Sequence, residues 1–305
     1  MILTVTANPA LDYSLRVDDI PLGRRARYRD ATIDPSGKGV NVARMVHRLG
    51  EPVFALALAG GATGTILAEG LVREGVPHEL VPVSAPTRIN VTLLSGPDGT
   101  ATHFHGAGAG VTAEEVDRLR GRARDRLRGA RLLVVSGSLP PGMRPADIGD
   151  LVRLAREAGV PAIVDAEGEA LASAVAAGAS LVKPNLAEAR GFLGRDLGPL
   201  EAAREIASRG VETVVVTMSG DGAVAVRGGR AWKVEPPREG VVRAVGAGDS
   251  FAAGLATGLS RGLDFPEALR LAAAAGAATA QSPGTSLGRA EDVKRLLPGV
   301  VVTAL

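Results

Sequence analysis

The chain has 305 residues, 46% of them apolar, and a formal net charge of only +2. It can bury a large core, no apolar run is long enough to span a bilayer, and the start Met1–Thr6 lacks the basic region of a signal peptide, so a cytoplasmic location is expected. The absence of cysteine excludes a disulfide framework, a thiolate nucleophile and a cysteine–zinc site.

Residues 2–7 predict a buried strand stopped at Pro9. Asp12 then falls just past a strand end, where ligands gather in open α/β sheets. Alternation over Tyr13–Val17 and Ala26–Ile33 predicts half-exposed strands of a separate small sheet. Next, Pro35-Ser36-Gly37-Lys38-Gly39-Val40-Asn41 is a glycine turn opening a helix that runs to about Leu49. It is not a P-loop, because Gly39 stands where Ser or Thr is required. Backbone N–H groups and one lysine at a helix start still suit a phosphate or hydroxyl; a capped helix with an exposed lysine is the plainer alternative.

A strand at 53–59, a helix at about 63–74 and strands near 79–83 and 87–95 follow. Arg88, Asn90 and Thr92 share one strand face, which either meets solvent or offers an Arg–Asn pincer for phosphate. His103 and His105 also share a face. With no third ligand nearby they read as exposed histidines rather than a metal pair. Gly108-Ala109-Gly110-Val111-Thr112-Ala113 fits the weaker dinucleotide fingerprint, but the strand before it is polar, so it reads as a turn. The run from Glu114 to Arg128 has an acidic start and a basic end. That suits a solvated helix dipole and argues against nucleic-acid binding.

The second half repeats strand-then-helix. Strands end at Ser136-Gly137-Ser138, Asp165, Lys183-Pro184-Asn185 and Thr217–Gly222, with Ala223–Val226 as a hairpin partner. Helices after 249, 266 and 289 close the chain. Site-like segments thus collect on one sheet edge. Asn185 and Glu188 lie three apart, so both face one way on a first helical turn. They can cap that helix or offer two oxygens to a hydrated magnesium, with Lys183 beside them for phosphate. The alanine-rich run from Leu271 to Ala277 leaves room for a base. In Gly246-Ala247-Gly248-Asp249-Ser250, a glycine turn meets a helix start. Asp249 there is either an N-cap or a general base beside an anion hole. Together these pieces ask for phosphoryl transfer, which needs positioning, charge neutralisation and one base.

The motifs Asn8-Pro9-Ala10-Leu11-Asp12, Gly37-Lys38-Gly39-Val40-Asn41, Thr87-Arg88-Ile89-Asn90, Gly137-Ser138-Leu139-Pro140, Lys183-Pro184-Asn185 with Glu188, and Gly246-Ala247-Gly248-Asp249 occur in order over nearly the whole chain. In this the sequence resembles the ribokinase-like (PfkB) carbohydrate kinases, most closely their hexose-phosphate branch. The resemblance implies an α/β fold: one ribokinase-like domain over 1–305, a central mostly parallel sheet flanked by helices. A discontinuous β-sheet lid would be formed by about 13–33 and 87–105, and in relatives such lids often pair in a homodimer. It implies an ATP-dependent, magnesium-assisted kinase with Asp249 as base and Gly246, Ala247 and Gly248 as anion hole. Asp12, Gly37 and Asn41 would hold sugar hydroxyls. Lys38, Arg88, Asn90 and Ser138 would hold the phosphate already on the substrate. Lys183, Asn185 and Glu188 would serve ATP and magnesium, and Ser219, Gly220 and Gly222 would line the nucleotide site. An unphosphorylated sugar would not need Lys38 and Arg88 together. Fructose 1-phosphate, phosphorylated to the 1,6-bisphosphate, is the favoured substrate, ahead of fructose 6-phosphate and tagatose 6-phosphate. A dinucleotide oxidoreductase is the remote alternative, and neither nucleic acid nor membrane is an expected partner. Three departures stand out. Ala244 replaces a common Thr, Arg243 replaces the acidic residue of a monovalent-cation site, putting potassium in doubt, and Ser219 stands where Gly is common.

Overall fold

The computed structural model describes residues 1–20, 23–95, 100–108, 110–237, 245–282 and 286–305. In chain order its first half holds β1 (Ile2–Thr6), β2 (Ala10–Val17), β3 (Tyr28–Ser36), α1 (Lys38–Arg48), β4 (Val53–Ala59), α2 (Gly61–Arg73), β5 (His78–Pro82), β6 (Arg88–Ser95), β7 (Thr100–Phe104) and α3 (Ala113–Leu127). Then come β8 (Leu132–Ser136), α4 (Pro145–Glu157), β9 (Ala162–Asp165), α5 (Gly168–Ala176), β10 (Leu181–Val182), α6 (Leu186–Leu193), α7 (Pro199–Ala207) and β11 (Thr213–Thr217). The chain closes with β12 (Ala223–Arg227), β13 (Arg230–Glu235), α8 (Ala247–Ser260), α9 (Phe265–Ala280), α10 (Ala290–Leu296) and β14 (Val301–Ala304).

Ten strands form one sheet in the order β14-β13-β12-β11-β10-β9-β8-β1-β4-β5. From β5 to β11 every pairing is parallel; β12, β13 and β14 add an antiparallel edge. The inner parallel strands are largely apolar on both faces, as a sheet covered by helices on both sides requires. In β1 the alternation is direct: Ile2 belongs to the core beneath α1, α2, α8, α9 and α10, while Leu3 and Val5 belong to the core beneath α3 to α7. A Leu133→Ala change in the second core would cost roughly 2–5 kcal/mol. The outer strands β13 and β14 escape the sequence reading because they are half-exposed and lack a continuous apolar run.

Four further strands form the small sheet, in the order β3-β2-β6-β7. It is wider than the expected 13–33 and 87–105, since β2 begins at Ala10 and β3 runs to Ser36. Asp12 is therefore inside a strand of this sheet, not just past the end of β1: Pro9 turns the chain, and Asp12 pairs in register with Asn90. The sheet is also inverted relative to a solvent-facing one. Asn90 and Thr92 are buried, whereas Ile89 is 46% exposed. A row of apolar side chains, Ile33–Tyr13–Val91–Phe104, crosses all four strands by register. The arginine-rich α3 is the solvated helix expected, with a Thr112–Glu115 capping box and Val116, Leu119, Ala123 and Leu127 buried beneath it.

Candidate active site

The site lies at the carboxyl edge of the large sheet, under the polar face of the small one. Gly37 (φ 108) turns β3 into α1; a Cβ there would come within 2.8 Å of Pro9 Cα. Buried Arg44 on α1 donates to the Pro35 carbonyl at 2.6 Å and pairs with Glu74, which fixes that turn from below. Across it, Asp12 accepts from Ser36 Oγ at 2.7 Å and from Asn90 Nδ2 at 2.9 Å.

The helix bearing Asp249 starts two residues earlier than expected. Its N-cap is Gly246 (φ 75), which makes no side-chain cap bond. Asp249 is thus the third helical residue and not a cap. The first amides of α8 are left without i−4 partners, as at any helix start. The Asp249 carboxylate instead accepts from Asn41 Nδ2 at 2.9 Å. Burial, and then the charge of Asp165, push its pKa up to about 6; Asn41, Lys38 and Lys183 pull the other way.

Asp165 is the residue whose role the sequence left blank. It is 2% exposed at the end of β9, with Lys183 Nζ 3.1 Å from one carboxylate oxygen and Lys38 Nζ 3.6 Å from the other. Burial alone would raise its pKa, but the two lysines outweigh that and hold it below the usual carboxylate range. Asp165 in turn is the main reason the Lys38 ammonium is held well above its ordinary value, with Glu188 adding to it. Lys38 Nζ also lies 3.8 Å from Glu188 Oε1. Only the strand-end position hinted at Asp165, because its two partners are far away in sequence.

Asn185 and Glu188 do form a capping box on α6, so the plainer reading of that pair is realised. Asn185 Oδ1 accepts from the Glu188 amide at 2.8 Å, and Glu188 Oε2 accepts from the Asn185 amide at 2.8 Å. The other glutamate oxygen is the one near Lys38. Ser219 sits in a 3₁₀ turn at φ 52, the only non-glycine among the described residues with positive φ. Gly220 and Gly222 complete that turn.

Two cavities meet here. One, of about 260 Å³, is walled by Lys183, Asn185, Ser219, Gly220, Gly222 and the α9 surface at Ala273, Gly276 and Ala277. The other, of about 470 Å³, is walled by Asp12, Gly37, Asn41, Arg88, Asn90 and Ser138, with Gly246 at its far side. Lys38, Glu188 and Asp249 line both. Ala247 and Gly248 face the first. The alanine run serves the first cavity only in part. Its other alanines let α8 and α9 pack closely, since a Cβ on Gly254 would stand 2.6 Å from the Leu271 carbonyl oxygen. Arg88 spends three of its five N–H donors on the carbonyls of Asn8, Pro9 and Gly106. Burial lowers its pKa, and Asp12 works against that.

Of the two histidines, His103 is half-buried against Thr92, and His105, although exposed, lines the second cavity. The stretch expected as a turn at 108–113 follows β7, an edge strand of the small sheet, so it lacks the buried strand a dinucleotide site needs; its Ala109 lies outside the described residues. Arg243 and Ala244 also lie outside them. Among the described residues no group of three or more His, Asp or Glu could hold a metal by itself. What the site offers is the Glu188 Oε1 oxygen and a buried Asp165 Oδ1 without a hydrogen-bond partner. That donor set fits magnesium, which keeps several waters and takes few protein ligands. No helix among the described residues is long and apolar enough to cross a membrane.

A family model described as pfkB family carbohydrate kinase matches residues 7–292. The chain belongs to this family. It is 35% identical over 299 residues to the ATP-dependent 6-phosphofructokinase isozyme 2 of Mycobacterium tuberculosis, covering 96% of this chain and 88% of that protein. It is 33% identical over 309 residues to the 1-phosphofructokinase of Bacillus subtilis, covering 100% of both. Among solved structures, phosphofructokinase-2 from Escherichia coli in complex with potassium superposes with a TM-score of 0.93 at 34% identity, over 97% of this chain and 98% of that one. The protein is therefore a kinase of the ribokinase-like fold, and its family implies ATP and usually Mg²⁺ as cofactors.

Proposed function

We propose that the protein transfers the γ-phosphoryl group of ATP to a ketohexose phosphate, first of all fructose 1-phosphate, giving the 1,6-bisphosphate. Fructose 6-phosphate and tagatose 6-phosphate are the competing acceptors. The observation that carries this reading is the meeting of two cavities at Asp249, Lys38 and Glu188, one fit for a nucleotide and one for a sugar phosphate. The relatives named 1-phosphofructokinase and 6-phosphofructokinase isozyme 2 support the same class of acceptor.

In this reading Asp249 takes the proton of the attacking hydroxyl, held in place by Asn41. The α8 amides around Gly246, Ala247 and Gly248 stabilise the charge on the moving phosphoryl oxygens. Asp12, Gly37 and Asn41 orient the sugar hydroxyls, and Arg88, Asn90 and Ser138 the phosphate it carries. Lys38 was expected at that same phosphate. Its contacts with Asp165 and Glu188 favour the junction, where it would neutralise the group in transfer. Lys183 and Asn185 face the nucleotide phosphates, and Ser219, Gly220 and Gly222 the nucleotide itself. Magnesium entering with ATP would be met through water by Glu188 Oε1 and the neighbouring Asp165 Oδ1, with Asn185, the other expected ligand, holding Glu188 through the α6 cap, and would supply further charge neutralisation. The small sheet would close over the sugar and exclude water. Its outward apolar face, with Tyr28, Ile33, Ile89 and Phe104 about half exposed, suits a second copy of the chain.

A coupled ADP-release assay against the three ketohexose phosphates, ranked by kcat/KM, tests the assignment. Fructose 1-phosphate should rank first; no turnover of any of the three would overturn the proposal. Light scattering tests the pairing: Ile89→Asp should give monomers where the parent chain gives dimers.

A further inference from the structure

His105 belongs to none of the motifs above, yet it lines the sugar-side cavity with Arg88, Ser138 and Asp12. Its position is built. It follows directly on β7, whose Phe104 pairs with Val91 of β6. The carbonyl of Gly106 accepts from Arg88 Nη1 at 2.7 Å. The carbonyl of Ala107 accepts from Asn8 Nδ2 at 3.1 Å, and that same nitrogen donates to Ser138 Oγ at 3.1 Å. Gly108 (φ 110) completes the clamp, since a Cβ there would stand 2.3 Å from Asn8 Oδ1. On the other side the His105 ring stacks on that of His103, centroids 6.1 Å apart, and His103 Nδ1 lies 3.0 Å from Thr92 Oγ1.

The charges in the cavity give this position a use. Its carboxylates are Asp12, Glu167, Glu188 and Asp249; its cations are Lys38 and Arg88. Lys38 is held by Asp165 and Glu188, and Arg88 keeps two N–H donors after binding three carbonyls. A phosphate dianion has more acceptor sites than those two donors can fill. Among the described residues, the other basic side chain on this wall is His105.

We propose that His105 binds the phosphate already present on the sugar, donating a ring N–H beside the Arg88 guanidinium, and so sets the preference for phosphorylated over free sugar. This rests on the sugar-phosphate reading above. The test is steady-state kinetics of His105→Ala and His105→Lys in the full chain at saturating MgATP. With His105→Ala, KM for the ketohexose phosphate should rise about tenfold, with kcat within about twofold and KM for ATP unchanged. His105→Lys, which restores an N–H donor, should recover most of that loss. Unchanged KM in the alanine variant would overturn the proposal. So would kcat and the ATP KM moving with it, or a lysine variant as weak as the alanine one. Inorganic phosphate titrated calorimetrically into each protein tests the contact separately. Weaker binding by His105→Ala is expected and equal binding refutes it, even if the parent chain were to turn over no ketohexose phosphate, which would sink the substrate reading alone.

Discussion

Asp249→Asn should stabilise the ligand-free protein while removing its activity. Asp249 is 8% exposed, and its pKa is pushed up from 3.8 to about 6 by burial and by Asp165. The carboxyl therefore holds its proton more tightly folded than unfolded. The stability this proton lends is fully present below 3.8 and is lost as pH rises through about 6. At about 1.36 kcal/mol per pH unit, burying Asp249 costs the fold about 3 kcal/mol at pH 8, where it stays ionised, and about half as much at pH 5, where it takes up a proton on folding. Asparagine has the same shape, carries no charge, and still offers an oxygen to Asn41. The variant should gain most of that energy, or about 5 °C in Tm at pH 8, with a smaller gain at pH 5. Calorimetric melting of both proteins at the two pH values measures it, beside a turnover assay in which kcat falls by about 10²-fold or more. Equal Tm at pH 8, or a gain that does not shrink on acidification, would refute the reasoning. The same proton predicts an acid limb in kcat/KM that falls about tenfold per unit below pH 6.

Lys38→Met should lower kcat by about 10²-fold and leave KM for the sugar phosphate within a few-fold. The opposite split would return Lys38 to the substrate's own phosphate. Glu188→Gln keeps an acceptor for the Asn185 amide, so Tm should move by less than about 2 °C while the magnesium needed for half-maximal rate rises about tenfold. A magnesium titration of the initial rate decides it. Ser219 already bears a left-handed backbone, so in urea unfolding Ser219→Gly should stay within about 0.5 kcal/mol and Ser219→Val should lose about 1–2 kcal/mol.

The strand–helix rhythm of residues 132–217 was legible because parallel strands buried on both faces are continuous apolar runs, each followed by a periodic helix. The turns at Gly37 and Gly246 were legible because glycine marks backbone that other residues resist. What stayed hidden is set by distant pairing. Alternation in the small sheet gave the two faces but not which one is covered, so solvent and a ligand both stayed open for Asn90 and Thr92, which the structure buries. Lys38 looked like a ligand for the nearest anion, but Asp165, 127 positions on, claims it. Asp249 could be read as a cap or a base, and only the helix start at Ala247 removes the capping alternative.

Among the described residues the two cavities share just Lys38, Glu188 and Asp249, so the proposed reading seats both partners at once, one on each side of those three side chains. In that reading transfer is a single displacement between the two partners, which would invert the stereochemistry at phosphorus and leave no phosphorylated enzyme between turnovers. Initial-rate lines for varied ATP at several sugar-phosphate concentrations should then converge rather than run parallel.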